Sequence, residues 1–153
     1  DPQLFKLPYI EVACPKDPRR RSAGPLSRPM IDVGFKLNGK EPEFFLQSIV
    51  DSGSDFCIFP AETGEEIGLQ VKSGPAIVLQ GSGKAKAYFH RIRLVLNLRD
   101  YAKKKDRLRD YDCDVGFSYE FDHGVLGRRG FFNQFSSVIF REEECQFQLY
   151  FED

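Results

Sequence analysis

The segment SIVDSGSDFCIFP, residues 48–60, decides the fold of this chain. Apolar runs flank Asp51 on both sides, which predicts a strand that carries a carboxylate to its end and a second buried strand directly after it. Removing a charged carboxylate from water is costly unless the group is paired or hydrogen-bonded. The carboxylate at this position therefore indicates either a turn aspartate that caps backbone amides or a functional side chain.

The composition fits one folded domain without a global charge bias. The chain has 153 residues, of which 41% are hydrophobic, and a formal net charge of −1. A near-neutral chain gives no general attraction to nucleic acid, and no apolar run approaches the roughly 20 residues that span a bilayer. We therefore expect neither a nucleic-acid partner nor a membrane span. The first residues lack the layout of a signal peptide, so the compartment is left open, with the cytoplasm favoured.

The cysteines and histidines form no pattern typical of a metal or redox site. There is no CxxC pair and no metal-finger spacing, and neither His90 nor His123 has a partner at ligand or triad spacing. The sequence therefore predicts no metal and no cofactor. Reduced thiols are expected at all four cysteines, which are Cys14, Cys57, Cys113 and Cys145.

Alternating apolar and polar residues predict an all-β domain. Residues 31–37 alternate, Asn38-Gly39 supplies a hairpin turn, and residues 44–50 return and deliver Asp51 at the end of the strand. A short helix is expected after Pro60. Further alternating segments, with little helix between them, argue a barrel or sandwich: residues 92–98, 115–121 and 145–151.

Two stretches depart from this pattern. Residues 1–27 mix prolines with short apolar pieces, which predicts an extended arm with little regular structure beyond a short strand at residues 9–14. Residues 28–153 form the predicted domain. Within the domain, the charged insertion at residues 100–112 predicts a solvated loop or a hairpin excursion from the sheet.

Several motifs occur in an order typical of one family. VDSGS at residues 50–54 resembles the Asp-Thr/Ser-Gly-Ala/Ser signature of the aspartic proteases. GVLGRRGFFNQF at 124–135 resembles the second signature of the retropepsin-like branch, in which two aliphatics, a Gly and an Arg precede a short amphipathic helix. Between them, LQGSGKA at 79–85 lies where that family has its flap, and Arg28-Pro29 precedes the first long strand as in the retroviral enzymes. The chain thus resembles a cellular or bacterial retropepsin-like aspartic protease.

The resemblance implies a closed all-β barrel or sandwich with a flap hairpin and one or two short helices, assembled as a two-fold homodimer. Each chain would give one Asp51 to a shared site. Two carboxylates a few ångström apart share a proton, so one can take a proton from water while the other hydrogen-bonds the scissile carbonyl. The implied activity is an aspartic endopeptidase acting on polypeptide substrates.

Two other readings stay open at this stage. One is a non-catalytic peptide-binding dimerisation module of the same fold, which holds extended peptides without cutting them. The other is a monomeric β-domain in which the site is never assembled. GSGK at residues 81–84 is not a phosphate-binding loop, because Val78 and Ala85 replace the Gly and the Ser or Thr which that motif requires.

The family's site residues carry over position by position. Ser52, Gly53 and Ser54 would support the catalytic loop, since glycine suits a tight turn and hydroxyls can hydrogen-bond. In the family, the position of Ser52 bonds across the dimer axis. The family often pairs the acid after the first signature with the Arg after the later Gly, which predicts a structural ion pair between Asp55 and Arg128.

The remaining expectations concern the second motif, the flap and the dimer. Arg129 replaces the Asn or Asp common next to Arg128 in the family, and the strand at residues 145–151 is the expected dimer strand. Val125, Leu126 and Gly127 form the second motif. The flap tip, expected to close over a bound peptide, consists of Gln80, Gly81, Ser82 and Gly83.

Overall fold

The computed structural model describes residues 3–12, 26–81 and 84–152 of the chain. Most of this length is strand, with one short α-helix, α1 at Ala61–Glu66, and single turns of 3-10 helix. The strands are β1 Gln3–Pro8, β2 Ile10–Val12, β3 Leu26–Arg28, β4 Met30–Lys36, β5 Leu46–Val50, β6 Ile58–Pro60, β7 Ala76–Val78, β8 Lys86–Asn97, β9 Leu108–Ser118, β10 Gly124–Leu126, β11 Ser137–Arg141 and β12 Gln146–Phe151.

Six of the strands close into a barrel. They are hydrogen-bonded in the order β4-β5-β10-β6-β9-β8, and β4 also pairs with β8, which joins the two ends of the sheet. Strand β7 extends the sheet beyond β8 as an edge strand. The fold is therefore all-β, as the alternating pattern predicted, and of the barrel and the sandwich that the pattern left open the structure has the closed barrel.

The hairpin before Asp51 forms as predicted. Asn38 and Gly39 both have positive φ, 55° and 75°, and Lys40 N donates to Leu37 O at 3.1 Å. Such a turn matches the twist of the strands it joins. The returning strand begins at Leu46 rather than at Phe44. Helix α1 follows Pro60 directly, which confirms the short helix expected there.

A separate sheet of three strands is built from the two ends of the chain. Strand β12 lies in its centre, with β1 antiparallel on one side and β11 antiparallel on the other. Phe147 and Leu149 of β12 are fully buried, and the ring of Phe151 stacks on that of Phe5 with centroids 5.6 Å apart. The terminal sheet therefore shares the hydrophobic core of the domain.

The N-terminal segment is more regular than predicted. The expectation of little regular structure was wrong for its described part, because β1 pairs with β12 over its whole length and β2 pairs with β3. The alternation of Phe5, Lys6 and Leu7 is short, and the strand that pairs with β1 lies at the far end of the chain. The local sequence pattern therefore gave too weak a signal for β1. Strand β2 lies within the predicted residues 9–14, but Cys14 falls outside the described residues.

The charged insertion is the end of a long hairpin rather than a separate loop. Strands β8 and β9 pair from Tyr88↔Phe117 to Asn97↔Leu108, so the second half of residues 100–112 belongs to β9. Cross-strand ion pairs line one face of the hairpin: Arg91 with Asp114 at 3.5 Å, Arg93 with Asp112 at 3.2 Å, and Arg93 with Asp110 at 2.9 Å. These pairs explain why the charged stretch forms regular strand.

The core of the domain consists of fully or almost fully buried side chains from both sheets. Aromatic contacts are frequent, for example Phe35 edge-to-face on Phe59 with centroids 4.9 Å apart. In the described ranges, no helix has the length and apolar character needed to cross a bilayer. The largest fully buried side chains are Phe59, Phe117, Phe131, Phe147, Ile31, Ile58, Leu94, Leu96, Leu98, Leu126, Leu149 and Val33.

Candidate active site

Asp51 lies where two parallel strands end together. Strand β5 pairs parallel with β10, in the register Val50↔Leu126, and Asp51 N then donates to Leu126 O at 3.0 Å. On the other side, Val50 N donates to Pro29 O at 2.8 Å. The backbone at Asp51 is therefore fixed from both sides by segments distant in sequence.

The loop after Asp51 is a tight turn closed by its own polar groups. Gly53 N donates to Asp51 Oδ1 at 2.9 Å, Ser54 N donates to Asp51 O at 3.2 Å, and Ser54 Oγ donates to Phe56 O at 2.8 Å. Asp51 thus does cap a backbone amide, as a turn aspartate does. This contact uses one oxygen of a carboxylate that is exposed in the single chain.

The second motif locks this loop through contacts that only glycine permits. A Cβ atom on Gly127 would lie 2.2 Å from Phe56 O and 2.7 Å from Ser54 O. Beyond it, Arg128 N donates to Ser54 O at 2.8 Å and Arg129 N donates to Asp55 O at 2.9 Å. The two sequence motifs therefore meet as two backbones in direct contact.

Cys57 lies beneath this junction. It is fully buried, Gly127 N donates to its Sγ at 3.4 Å, and burial raises the pKa of its thiol to about 12. The thiol stays protonated at physiological pH and packs as a small apolar group. Cys57, Cys113 and Cys145 are all free thiols, as expected, whereas Cys14 lies outside the described residues.

Asp51 lines a cleft of about 540 Å³ between the loop that follows it and the β7–β8 hairpin. Strand β7 pairs with β8, and Leu79 N donates to Ala85 O at 2.7 Å near the tip of the hairpin. Of the predicted flap residues, Gln80 and Gly81 line the cleft, while Ser82 and Gly83 lie outside the described residues. Its other lining residues are Gly53, Ser54, Asp55, Phe56, Ile58, Ile77, Val78, Leu79, Phe121 and Val125.

Sequence reasoning missed several cleft residues, among them Phe56, Ile77 and Phe121. Phe56 directly follows the first motif, Ile77 lies on the edge strand β7, and Phe121 was expected in a continuing strand, although β9 ends at Ser118. Phe56 could have been found from its place next to the motif. Phe121 could not, because its alternation with Tyr119 looks the same in a strand and in this loop.

The predicted ion pair between Asp55 and Arg128 is not formed in the described single chain. Their segments are joined by neighbouring backbone hydrogen bonds instead, from Arg128 N to Ser54 O and from Arg129 N to Asp55 O. Both residues line the same cavity of about 630 Å³. Both side chains are exposed, so an ion pair between them would gain little in water.

The short helix expected after the second motif is a single 3-10 turn, Phe132–Gln134. Gly130 has a φ of +101°, and Phe131 then turns into the core with no exposed surface. Burial of this phenylalanine, and of Phe135 three residues after the turn begins, sets the path of the chain into β11.

Neither histidine lies in a reactive arrangement. The Nε2 atom of His90 is 2.7 Å from Val71 O, and His123 Nδ1 is 2.7 Å from Asp122 Oδ1 on an exposed loop. Across the part of the chain that the structure describes, no group of three or more His, Cys, Asp or Glu side chains could hold a metal ion.

The structure combines a closed barrel, an Asp-Ser-Gly loop held by a glycine distant in sequence, and an adjacent edge hairpin. These features define a class of fold. Comparison with solved structures identifies that class. The chain has a retropepsin-like fold. The retropepsin-like aspartic protease from Rickettsia conorii aligns with 99% of this chain and 94% of its own, with a TM-score of 0.55 and 14% identity.

A second solved structure, the EIAV protease complexed with the inhibitor HBY-793, aligns with 66% of this chain and 82% of its own, with a TM-score of 0.41 and 13% identity. No protein-family model and no curated protein sequence matches the chain. The likeness to the Rickettsia protein is therefore one of fold, and a function must be argued from the residues of this chain.

Proposed function

We propose that this chain is an aspartic endopeptidase that works as a two-fold homodimer, with one Asp51 from each copy. The observation that carries the proposal is the position of Asp51. Asp51 is exposed and lines a cleft, while its N–H donates to Leu126 O and that of Val50 donates to Pro29 O. A solvated side chain on a fixed backbone is suited to chemistry rather than to packing.

Pairing of the two carboxylates would supply the acid and the base. Two carboxyl groups side by side keep one shared proton, because both charges together are unfavourable. The charged member takes a proton from water as the water oxygen attacks the scissile carbonyl carbon. The protonated member gives its proton to the carbonyl oxygen, which forms a tetrahedral gem-diol. The carboxyl that took the proton from water then gives it to the leaving amine, while the other carboxylate takes a proton from one gem-diol hydroxyl, so the C–N bond breaks and the shared proton is restored.

The substrate we propose is an extended peptide that adds a strand next to β7. Strand β7 is the edge of its sheet, so one row of its backbone groups is free to pair. Ile77 and Val78 on this strand are exposed, at 41% and 58%, and both line the Asp51 cleft. Exposed apolar residues on an edge strand support a binding role for it.

The dimer contact proposed from the sequence needs revision. Strand β12 is already paired on both sides, so a second copy would have to pair with β1 or β11 instead. Strand β11 is the better candidate, because Ile139 and Phe140 on it are both 38% exposed. An Ile139→Lys variant should then sediment as a monomer at concentrations where the unchanged protein is dimeric. Lys103→Glu, on the exposed β8–β9 connection, serves as the control.

The test of the activity compares the protein with its Asp51→Asn variant on a diverse peptide mixture between about pH 4 and 7, where a coupled pair can hold one proton. The products are sequenced by mass spectrometry. Asparagine keeps the Oδ1 acceptor for Gly53 N, so the variant should unfold at the same temperature as the unchanged protein. Asp106→Asn, on the exposed connection, is the matched control and should keep full cleavage.

Cleavage that Asp51→Asn abolishes and Asp106→Asn retains would support the endopeptidase. If a sample shown to be dimeric cuts nothing, the peptide-binding module becomes the better reading. If the protein stays monomeric at all concentrations, the shared site is never assembled and the proposal fails.

A further inference from the structure

A second, larger cavity of about 840 Å³ continues the Asp51 cleft. Phe56 and Ile77 line both spaces, so the two cavities adjoin at these side chains. Phe89 completes the apolar wall, and its ring meets that of Phe56 edge-to-face with centroids 5.1 Å apart. Polar residues that also line the cavity include Arg129, Asn133 and Gln134.

Each charged side chain described at this cavity has an ion-pair partner, except that of Arg129. Arg91 pairs with Asp114 at 3.5 Å, and Asp112 pairs with Arg93 at 3.2 Å, so both carboxylates that line the cavity already have a cation. Among the described residues, the guanidinium of Arg129 makes no ion pair and lies over the ring of Phe56, 5.8 Å from its centroid. Among the described charged residues that line this cavity, Arg129 is therefore the one without an ion-pair partner.

The backbone holds Arg129 in place. Its N donates to Asp55 O at 2.9 Å, and it forms an isolated parallel bridge with Phe56. Asn133 Oδ1 accepts from Gly130 N at 3.1 Å, which leaves the amide nitrogen of Asn133 available as a donor beside Arg129. A guanidinium and an amide next to an aromatic face suit a carboxylate carried on a short apolar stem.

An extended peptide can reach this point from Asp51. Alternate side chains of a strand point the same way and lie about 7 Å apart. Successive side chains on one face of the peptide would therefore lie first in the Asp51 cleft and then in the second, larger cavity. Ile77 of the edge strand β7 touches both spaces, and pairing with β7 would set this register.

We propose that Arg129, assisted by Asn133, forms an outer subsite that selects an aspartate or glutamate side chain of the bound peptide. The inference rests on the proposed peptide-binding role of the Asp51 cleft and adds the class of substrate. It also gives a role to the residue that departs from the family's usual Asn or Asp at this position.

The test separates binding from cleavage. The Asp51→Asn protein is used to select binders from a randomised peptide library, and the bound peptides are sequenced and aligned on their common register. The same selection is made with double variants that combine Asp51→Asn with Arg129→Gln, Arg129→Lys or Arg129→Glu. Asp51→Asn combined with Arg99→Gln, on the β8–β9 connection, is the charge-matched control. Thermal unfolding checks that each variant is folded.

We expect Asp and Glu to be enriched at one position of the peptide. Arg129→Gln should weaken binding of an acidic peptide about tenfold, as expected for loss of one charge-assisted hydrogen bond. Arg129→Lys should keep part of the preference, Arg129→Glu should shift it to Lys and Arg, and Arg99→Gln should leave it unchanged.

Three results would overturn the inference: no acidic enrichment, an enrichment that survives Arg129→Gln, or no peptide bound at all. Cleavage by the unchanged protein is measured separately on the same library. Cleavage without acidic preference would refute the subsite alone, whereas acidic preference without cleavage would refute the endopeptidase and keep the subsite.

Discussion

The loop around Asp51 and the terminal sheet are both built from segments far apart in sequence, yet different forces hold them. At the loop, the contacts are between backbones, and the side chains of Asp51, Ser52 and Asp55 are left exposed. In the terminal sheet, the side chains of Phe147 and Leu149 are fully buried and the contacts are between apolar groups.

This difference separates two tasks of the molecule. The loop needs an accurate backbone position, and its exposed side chains make few contacts, so a change of one of these exposed side chains costs little stability. The terminal sheet closes the core, so its inward side chains determine stability, and β1 and β11 are its outer strands. Substitutions in each region should therefore fail in different ways.

The largest effect is expected in the terminal sheet. Phe147→Ala removes a fully buried ring and should lower the free energy of unfolding by about 4 kcal/mol, from lost transfer energy and the cavity left behind. Leu4→Ala, on the exposed side of β1, should cost less than about 1 kcal/mol. Urea unfolding of both variants measures the contrast, and equal costs would contradict a core role for β12.

A smaller loss of stability is expected at the loop. Gly127→Ala places a Cβ atom against Phe56 O and should cost about 2–3 kcal/mol, because a backbone must shift to make room. Gly39→Ala is the matched control, since nothing lies within 4 Å of its Cβ and only the positive φ of 75° is strained, at about 1 kcal/mol. Gly127→Ala should also abolish peptide binding, which Gly39→Ala should leave intact. Equal effects of the two changes would mean that the contact with Phe56 can relax.

Local patterns predicted the all-β class and the hairpin before Asp51, because both depend on short stretches of sequence. The alternation of Ile31, Val33 and Phe35, with Asn38-Gly39 after it, was sufficient for the hairpin. The close backbone contact at Gly127 could be expected only through the resemblance to known proteins, since glycine by itself does not reveal what lies against it.

The terminal sheet was harder to predict, because its information is non-local. β1 has one buried side chain, Leu7, and pairs with a strand about 140 residues away. Solvent exposure explains the absence of the Asp55–Arg128 ion pair, and burial of Phe131 explains why the helix after Gly127 is short. Neither exposure nor burial can be taken from the spacing of residues alone.

The smallest predicted effect is a pH-dependent loss of stability in the terminal sheet. Tyr9, at the junction of β1 and β2, is buried, and its hydroxyl donates to Glu142 Oε1 at 2.9 Å. Burial, the hydrogen bond to Glu142 and the negative charge of that carboxylate raise the pKa of Tyr9 to about 12. Tyr9→Phe should therefore cost about 1 kcal/mol at neutral pH, the usual worth of such a hydrogen bond.

That cost should shrink at high pH. The unfolded chain loses the Tyr9 proton near pH 10, whereas the folded chain keeps it until about pH 12. In this window the unfolded state binds fewer protons, so the contribution of Tyr9 is complete below pH 10 and falls as the pH rises toward 12. Urea unfolding at pH 8 and pH 11 should show the gap between the two proteins narrowing. A constant gap would mean that Tyr9 ionises alike in both states, so its contact with Glu142 would add no pH-dependent stability to the terminal sheet.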